Sequence, residues 1–336
     1  MTEKMQIQTV VMAAGEGTRM RSKKSKVLHE VCGRTLLDWA IHAAPESTQR
    51  PIVIVGRNEG QVRAKYADGI VYAVQSERLG TGHAVMMAKE AILASEADCV
   101  LIIAGDMPLF RQQMLADLCR DVLENRADAC VLTAILEDPT GYGRVLRDAQ
   151  GHITGVVEQK DATQEQLAIR EVNVSGYCVK KNVLLDALSK LDNNNAQHEY
   201  YLTDIIYHMV AAGCTVLPVI ADDPDACLGI NDRMQLAQAE KKMRARINEA
   251  HMRNGVTLLD PETTLIEADV TIGQDTVVEP GCVLKNGTVI GENCRILGAS
   301  RIENSLIRDG ATVLLSVLYN AQVEEGECVG PFAVIK

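Results

Sequence analysis

The 336-residue chain has few aromatic residues, which make up 3% of it, and it has no apolar run long enough to cross a bilayer. About 18 or more consecutive apolar residues are needed for a membrane-spanning helix, so the sequence predicts no membrane insertion. Residues 1–5 include an acid and lead directly into the first apolar run, which leaves no room for the apolar core of a secretory leader. We therefore expect a cytoplasmic protein.

Paired cysteine motifs and a basic surplus are also missing. The ten cysteines include no C-x-x-C pair, which argues against a structural zinc site and against a disulfide framework, and favours a reducing compartment. The formal net charge of −11 excludes a general binder of nucleic-acid backbones. Any functional cations must therefore be local, and five of them lie within residues 19–26.

Two common nucleotide-binding motifs are absent as well. The Rossmann motif G-x-G-x-x-G starts correctly at Gly15 and Gly17, but Met20 stands where the third glycine should be. The Walker motif fails because no Gly-Lys-Ser/Thr step occurs. A nucleotide phosphate would have to bind to a glycine loop of another kind.

Such a loop follows the apolar run at residues 10–12, which is typical of a buried strand. The small residues Ala13, Ala14 and Gly15 would let backbone N–H groups approach phosphate oxygens, while Arg19 and Lys26 would add charged contacts. This combination suits the stabilisation of a pyrophosphate leaving group. The alternative is an ordinary strand-to-helix turn with solvated lysines.

The chain up to about residue 230 alternates apolar, β-rich runs with helical patterns. Strands are predicted at 9–13, 52–55, 70–74, 99–104 and 129–135, and helices at 36–44, 82–93 and 111–123. The alternation predicts a Rossmann-like, doubly wound α/β domain, in which ligands bind at the carboxyl ends of the strands. Asp106 follows the strand at 99–104 and is placed to hold a metal ion against phosphates, although a lone aspartate there is also a common turn former.

A six-residue period begins after residue 255. Apolar residues recur at this spacing and resume it after one slip: Ile266, Ile272, Val278, Leu284, Ile290, Ile296 and Ile302, then Val317, Val323, Val329 and Ile335. This predicts a parallel β-helix of hexapeptide repeats, with one stacked aliphatic residue per short strand. Because the repeat reaches Lys336 without a cap, we expect that the chain is shortened at this end, the alternative being that oligomerisation covers it.

The sequence thus predicts three parts. Residues 1–230 form the α/β domain, residues 231–254 form a polar connecting helix, and residues 255–336 form the partial β-helix. The helix has a candidate cap in Asp232 and a stop signal at Asn254 and Gly255.

Several segments together resemble one known family. They are M-A-A-G-E-G-T-R-M (12–20), K-V-L (26–28), Gln75 with L-G-T-G-H-A (79–84), G-D-M-P-L (105–109), P-T-G-Y-G-R (139–144), E-Q-K-D-A (158–162) and N-N-N-A-Q (193–197) with E-Y-Y-L-T-D (199–204). In this order they resemble the bacterial bifunctional N-acetylglucosamine-1-phosphate uridylyltransferase/glucosamine-1-phosphate acetyltransferases, over the whole chain. The first and fourth segments are shared by sugar-1-phosphate nucleotidylyltransferases generally, whereas the fifth and the last favour the N-acetylglucosamine branch.

The resemblance implies a set of site residues. Those proposed to line the nucleotide and read the uracil edge are Ala13, Ala14, Gly15, Gln75, Gly80 and Thr81. Those proposed to hold the sugar are Gly143, Glu158 and Asn173. By the same resemblance Arg19 and Lys26 contact phosphates, and Asp106 and Asn231 bind Mg²⁺.

The implied reaction joins UTP and N-acetylglucosamine 1-phosphate to give UDP-N-acetylglucosamine and pyrophosphate, a step toward cell-wall precursors. The implied architecture is a left-handed β-helix that assembles a homotrimer. In the resembled family the acetyl-transfer residues lie beyond the point that corresponds to Lys336, so we expect no acetyltransferase activity. Two alternatives stay open: another sugar-1-phosphate nucleotidylyltransferase, for example one for glucose 1-phosphate, or a non-catalytic trimeric module that senses nucleotide.

The attacking sugar phosphate is already anionic at neutral pH, so no general base is needed and catalysis depends on positioning and charge neutralisation. His83 and Tyr142 are therefore interpreted as structural. Three positions depart from the resembled pattern: Ser25 replaces a common proline, Ala104 an aromatic residue and His198 a glycine. These departures put loop rigidity and base packing in question, and none of them removes a proposed ligand.

Overall fold

The computed structural model describes residues 6–47 and 49–336, so the expectation about a leader at residues 1–5 lies outside the described part. The chain divides into two compact units. The first comprises the described residues up to His29 together with Leu36–Asp232, and the second comprises Glu30–Thr35 and Arg233–Lys336. Among the described residues, no helix combines the length and the apolar character needed to cross a membrane.

The strands of the first 232 residues are numbered along the chain. They are β1 (Ile7–Met12), β2 (Glu30–Val31), β3 (Arg34–Thr35), β4 (Ile52–Val55), β5 (Val71–Val74), β6 (Cys99–Ala104), β7 (Ala129–Ile135), β8 (Arg144–Arg147), β9 (Ile153–Val157), β10 (Glu171–Lys180) and β11 (Val216–Ile220). The helices are α1 (Leu36–Ala43), α2 (Glu59–Lys65), α3 (Thr81–Met87), α4 (Lys89–Ala94), α5 (Gln112–Leu123), α6 (Gln164–Leu167), α7 (Lys181–Leu188) and α8 (Asp204–Ala211).

The first unit is built on one mixed sheet with the order β11-β7-β10-β6-β1-β4-β5. Off this path, β8 pairs with β10, and β9 pairs with β8. Strand β1 runs parallel to β4 and β6, whereas β10 runs antiparallel to β6 and β7. The central strands are continuous apolar runs because helices cover both faces of such a sheet. Residues Ile52 and Ile102, for example, are fully buried. The doubly wound α/β domain predicted from the sequence is therefore confirmed.

The predicted elements of this unit are present, and their bounds agree to within one residue except at two places. Strand β1 begins at Ile7, two residues before the predicted start. The predicted helix at 82–93 is two helices, α3 and α4, which meet at Ala88. Ala88 is buried and has a φ of −85° and a ψ of −3°. It is both the residue that follows α3 and the residue that precedes α4.

The second unit contains the β2–β3 hairpin, one long helix and a stack of short strands. The helix is α9 (Arg233–Arg253), and it ends before Gly255, whose φ of +92° is typical of the residue that follows a helix. The strands are β12 (Thr257–Leu258), β13 (Leu265–Ile266), β14 (Thr271–Ile272), β15 (Val277–Val278), β16 (Val283–Lys285), β17 (Val289–Ile290), β18 (Arg295–Leu297), β19 (Arg301–Glu303), β20 (Leu306–Ile307), β21 (Thr312–Leu314), β22 (Val317–Tyr319), β23 (Gln322–Val323), β24 (Cys328–Val329) and β25 (Val334–Ile335). The helix thus belongs to the second unit, and the three-part division at residues 230 and 254 stays a prediction.

These short strands form three parallel sheets, with the orders β12-β15-β18-β21-β24, β13-β16-β19-β22-β25 and β14-β17-β20-β23. Every third strand therefore returns to the same face, which is the hexapeptide-repeat β-helix predicted from the six-residue period. Corner residues with positive φ include Asn286, Asn304 and Asn320, and asparagine tolerates this conformation better than other residues with a Cβ. The Asn304 amide donates to Asn320 Oδ1 at 2.6 Å.

Among the predicted stack positions, Val317 is out of register, and Ile335 is in register beside Leu318 but exposed. The six-residue period predicts that Val317 lies in the stack after the slip, but Val317 is only half-buried and pairs with Arg301. Leu318 is the fully buried residue and lies beside Ile302. After Ile302, the buried residues of successive strands are five or six positions apart. A constant spacing of six therefore selects Val317 instead of the adjacent Leu318.

Candidate functional site

The ends of β1 and β6 lie side by side and create the edge at which the glycine loop opens. The Gly105 N–H donates to Met12 O at 2.9 Å, and the Ala13 N–H donates to Ile54 O at 2.9 Å. Both loops therefore leave the sheet at its carboxyl edge, the place where parallel sheets bind ligands.

A cavity of about 290 Å³ opens at this edge. Predicted site residues lining it are Ala13, Ala14, Gly15, Lys26, Gln75, Gly80, Thr81 and Asp106. The other lining residues are Met12, Val27, Arg78, Ala84, Ala104, Ser175 and Glu199. Eight positions chosen from separate segments of the sequence therefore surround one space.

Lys26 and Asp106 form the electrostatic centre of this cavity. The Lys26 ammonium is ion-paired with the Asp106 carboxylate and also donates to Asn231 Oδ1 at 3.2 Å. The side chains of Lys26 and Asp106 are 10% and 21% exposed. The lysine stem packs on Gly17, where an added Cβ would lie 2.5 Å from the Lys26 Cβ.

The same contacts bear on the predicted metal site. A carboxylate oxygen of Asp106 and an amide oxygen of Asn231 converge on one cation, the Lys26 ammonium, and hard oxygen donors of this kind suit Mg²⁺. Within residues 6–47 and 49–336, no group of three or more His, Cys, Asp or Glu side chains is arranged to hold a metal. The donors fit an ion that takes its remaining ligands from substrate phosphates and water, provided that the ammonium moves aside.

Gln75 is a buried polar residue of the cavity wall, with 5% of its surface exposed. Its Nε2 donates to Gly80 O at 2.9 Å and lies 3.1 Å from His83 Nδ1. Gly80 has a φ of +107°, and an added Cβ would lie 2.4 Å from Tyr200 O. The amide nitrogen of Gln75 is thus occupied by protein groups, and its amide oxygen is the atom left for a ligand.

Arg19 is the predicted phosphate contact that does not join the cavity. It lies in a 3₁₀ turn (Thr18–Met20), it is exposed, and it is not among the residues that line the space. In the part of the chain that the structure describes, its side chain makes no ion pair or hydrogen bond. Its role as a phosphate contact stays a prediction.

The three residues predicted to hold the sugar form a cluster of their own. The Asn173 N–H donates to Gly143 O at 2.9 Å, and a Cβ on Gly143 would lie 3.6 Å from the Glu158 carboxylate. Asn173 donates to the Tyr177 hydroxyl at 2.6 Å, while its buried Oδ1 has no partner among the described residues. The cluster thus contains an acceptor that a bound ligand would satisfy.

Glu158 is the charged member of this cluster. Burial raises the pKa of its carboxyl, the hydrogen bond from Thr203 at 2.9 Å lowers it in part, and the charges of Asp161 and Glu199 raise it further. Glu199 lines the cavity, so the cluster and the cavity share one electrostatic environment.

Sequence reasoning missed Ser175, which lines the cavity from the middle of β10. Its φ is +55°, at a point where the pairing of β10 with β7 shifts register between Asn173 and Tyr177. Bulges of this kind redirect side chains beside active sites. An apolar-polar alternation carries no signal for a bulge, although the Ser-Gly step inside a strand is a weak one.

Arg78 was missed as well. Its guanidinium pairs with Glu16 of the glycine loop at 3.2 Å, and Glu16 also pairs with Arg57 at 3.1 Å. One carboxylate thus faces two guanidinium groups at the cavity's edge. The only sequence signal was its place between Gln75 and Leu79.

Two of the departures from the resembled pattern have a structural explanation. His198 has a φ of +53°, so the backbone there has the conformation that favours glycine. Ala104 lines the cavity, where an aromatic side chain would occupy more of the space. His83 lies against Gln75 and Tyr200. Burial raises the pKa of the Tyr142 hydroxyl, and the backbone of Gly229 lowers it in part.

Comparisons with known proteins agree with this arrangement. The family model of the MobA-like NTP transferase domain matches residues 9–170, and the model of the bacterial transferase hexapeptide (six repeats) matches residues 269–304. The first match contains the glycine loop, Gln75, Asp106, Gly143 and Glu158. The second lies within the β-helix.

Curated relatives extend the similarity over nearly the whole chain. A bifunctional protein GlmU from Caldanaerobacter subterraneus subsp. tengcongensis is 44% identical over 329 residues, which are 98% of this chain and 71% of that protein. The bifunctional protein GlmU of Clostridioides difficile is 42% identical over 99% of this chain and 72% of its own length. That of Limosilactobacillus reuteri is 45% identical over 96% of this chain and 71% of its own length. With this identity and coverage, and with an NTP transferase domain ahead of hexapeptide repeats, the chain is a nucleotidyltransferase and belongs to the GlmU family of bifunctional proteins.

Proposed function

We propose that the chain transfers the uridylyl group of UTP to N-acetylglucosamine 1-phosphate, giving UDP-N-acetylglucosamine and releasing pyrophosphate. The product serves the synthesis of peptidoglycan and lipopolysaccharide precursors and thereby cell shape. Membership of the GlmU family supports this reaction. The observation that carries it is the cavity in which a glycine loop meets the Lys26–Asp106 pair.

The glycine loop and Gln75 are proposed to hold the nucleotide. The wall formed by Ala13, Ala14 and Gly15 lets the phosphates approach the backbone, because no bulky side chain intervenes. The free amide oxygen of Gln75 can accept the N3–H of uracil, which cytosine lacks. Gly80 and Thr81 complete this wall beside Gln75.

Lys26 and Arg19 are proposed to neutralise the triphosphate. The acceptor phosphate carries its own negative charge, so the barrier is the repulsion between two polyanions and the cost of aligning them. The Lys26 ammonium is already held at the cavity wall and needs only to exchange Asp106 for a phosphate oxygen. Asp106 and Asn231 then remain as oxygen donors for Mg²⁺, which, when bound, neutralises phosphate charge.

Gly143, Glu158 and Asn173 are proposed to hold the N-acetylglucosamine group. A Cβ on Gly143 would lie 2.8 Å from Val156, so a glycine lets the chain just before β8 lie close to β9 and to Glu158. The carboxylate of Glu158 and the unpartnered Oδ1 of Asn173 both accept hydrogen bonds from hydroxyl and amide donors. A sugar with such donors suits this pair of acceptors.

We also propose that the protein is cytoplasmic and assembles as a homotrimer through its β-helix. The hexapeptide repeats and the GlmU relatives support the assembly. UTP and N-acetylglucosamine 1-phosphate are then the partners, with neither nucleic acid nor membrane involved. The mass of the purified protein in solution tests the trimer.

Turnover measured over a matrix of substrates tests the reaction. UTP, CTP, dTTP and ATP would each be combined with N-acetylglucosamine, glucosamine and glucose 1-phosphates in the presence of Mg²⁺, and pyrophosphate release would be followed. We expect the fastest turnover with UTP and N-acetylglucosamine 1-phosphate. A preference for glucose 1-phosphate would favour the first alternative, and UTP binding without turnover of any sugar phosphate would favour a nucleotide sensor.

A further inference from the structure

The segment that carries Lys26 has little regular structure of its own. Between β1 and the hairpin at residue 30 the chain forms only two short 3₁₀ turns, Thr18–Met20 and Lys26–Leu28, within the described residues. Five cations lie within residues 19–26, and their mutual repulsion opposes a compact loop. Contacts from elsewhere must therefore fix the position of Lys26.

Asn58, at the corner between β4 and α2, makes such contacts. Its amide nitrogen donates to Ala13 O at 2.9 Å and to Ser25 Oγ at 2.9 Å, and its amide oxygen accepts from the Gly56 N–H at 2.9 Å. One side chain therefore joins the first residue of the glycine loop to the residue that precedes Lys26. The two joined residues lie 45 and 33 positions from Asn58 in the chain.

Gln61, one turn later on α2, holds the same segment from a second point. Its amide oxygen accepts from the Ser25 N–H at 2.8 Å, and its amide nitrogen donates to Lys23 O at 3.0 Å. Asn58 and Gln61 together bind both the backbone and the hydroxyl of Ser25. Ser25 is buried and has a φ of −52° and a ψ of 140°, which is close to the geometry that a proline would impose.

These contacts lie directly before Lys26 in the chain. With Ser25 fixed, the Lys26 stem lies on Gly17 and its ammonium reaches Asp106. We propose that Asn58, supported by Gln61, is a positioning residue that sets the Lys26 ammonium relative to the Ala13–Gly15 wall. Its hydrogen bonds restrain the backbone at Ser25, as the ring of a proline at this position would. The inference rests on the proposed function, because it assigns Lys26 to the phosphates.

A double-mutant cycle tests the proposal. Asn58→Ala, Asn58→Asp, Lys26→Met and the combined Asn58→Ala/Lys26→Met proteins would be compared for kcat and KM, and for UTP binding by calorimetry in the absence of sugar phosphate. We expect Asn58→Ala to lower kcat/KM for UTP by about 10-fold to 100-fold, because small displacements of a phosphate cation are costly. In the Lys26→Met background the same change should lower it by less than about twofold, since its effect passes through Lys26.

Asn58→Asp keeps an acceptor for the Gly56 N–H and removes the amide donors, so it should behave like Asn58→Ala while disturbing the corner less. Asn182→Ala is the matched control, because Asn182 is an exposed asparagine whose side chain accepts locally from the Val183 N–H, and it should leave kcat/KM unchanged. Equal losses from Asn58→Ala with and without Lys26, or no loss from either Asn58 variant, would overturn the proposal.

The binding arm separates this proposal from the proposed reaction. If the wild-type protein turns over no sugar phosphate, the proposed reaction is wrong. The UTP affinities of the wild type, the two single variants Asn58→Ala and Lys26→Met and the double variant still report on the role of Asn58. Coupling between Asn58 and Lys26 in those affinities would support the positioning role. Additive effects in them would contradict it.

Discussion

The Lys26 ammonium and the Asp106 carboxylate, which lie 80 positions apart in the chain, neutralise each other within the cavity at the carboxyl edge of the sheet. Both groups are assigned to other partners during the proposed reaction, the ammonium to phosphate and the carboxylate to a cation. The ion pair therefore gives each of these two largely buried charges an opposite charge as a partner when no substrate is bound. In the proposed reaction, a divalent cation would compete with Lys26 for Asp106.

Removing the ammonium should strengthen divalent binding in the absence of nucleotide. In Lys26→Met the Lys26 ammonium no longer competes for the Asp106 and Asn231 oxygens, so we expect the affinity for Mn²⁺, measured by calorimetry without UTP, to rise by about tenfold or more. Lys23→Met removes the same charge from an exposed position nearby and should leave this affinity nearly unchanged. Unaltered Mn²⁺ affinity in Lys26→Met would show that the ammonium and the metal do not share a site.

Removing the carboxylate should affect both turnover and stability. Asp106→Ala leaves a largely buried ammonium without its anionic partner, which costs about 1–3 kcal/mol of unfolding free energy. Mg²⁺-dependent turnover should fall by about 10²-fold or more, because a charge that acts in the transition state is lost, while the circular dichroism spectrum stays that of the folded chain. Asp106→Asn keeps the hydrogen bond to Lys26, so it should recover part of the stability and none of the turnover. Near-normal turnover in either variant would contradict the metal-binding role.

The cavity was predictable because its main residues follow strand ends. Ala13 and Asp106 come within two residues of the ends of β1 and β6, and parallel strands bring their carboxyl ends to one edge, so two distant segments of sequence meet there. Glycine and lysine types then indicate phosphate. Local patterns and one rule of sheet geometry are therefore enough to predict the cavity.

The contacts that adjust the site could not be predicted in the same way. The bulge at Ser175 and the Asn58 hydrogen bonds to Ala13 and Ser25 depend on how segments more than 30 positions apart come together. Polar side chains at such positions look like ordinary turn residues in the sequence. The same limit explains the wrong core residue at 317, because a shortened turn changes the register without changing the composition.

Two neighbouring glycines of the loop should respond differently to alanine. Gly17 has a φ of +61°, and its Cβ would lie 2.5 Å from that of Lys26, so Gly17→Ala should lower the unfolding free energy by about 1–2 kcal/mol and displace Lys26. Gly15 has an ordinary φ and no atom within 4 Å of an added Cβ, so Gly15→Ala should leave stability within about 0.5 kcal/mol of the wild type. Its methyl group would instead enter the cavity and raise KM for UTP. Denaturant unfolding combined with kinetics separates the two effects, and a Gly15→Ala protein with unaltered KM would contradict phosphate binding at this wall.

Asp204 should make stability depend on pH in the acid range. Burial, followed by the charges of Glu158, Asp192 and Asp161, raises the pKa of its carboxyl from 3.8 to about 6. The folded chain therefore binds this proton more tightly than the unfolded chain, so the contribution to stability is complete below pH 3.8 and is lost as the pH rises to about 6.

The variant Asp204→Asn removes that dependence. Its Tm relative to the wild type should be higher at pH 7.5 than at pH 4, because only at the higher pH does the wild type carry the buried charge. Asp68→Asn changes an exposed carboxyl and should show no such trend. A Tm difference between Asp204→Asn and the wild type that is the same at both pH values would show that Asp204 is not strained by its charge.

The register of the β-helix can be tested with one pair of adjacent residues. Leu318 is fully buried and stacks beside Ile302, whereas Val317 is half-buried and pairs with Arg301. Leu318→Ala should therefore lower the unfolding free energy by about 2–5 kcal/mol, because it leaves a cavity in the stacked core. Val317→Ala removes fewer buried atoms and should cost clearly less, so thermal unfolding of the two variants under identical conditions decides between the two registers. A larger loss of stability from Val317→Ala than from Leu318→Ala would contradict this register. It would mean that Val317 points inward, as a constant spacing of six residues predicts.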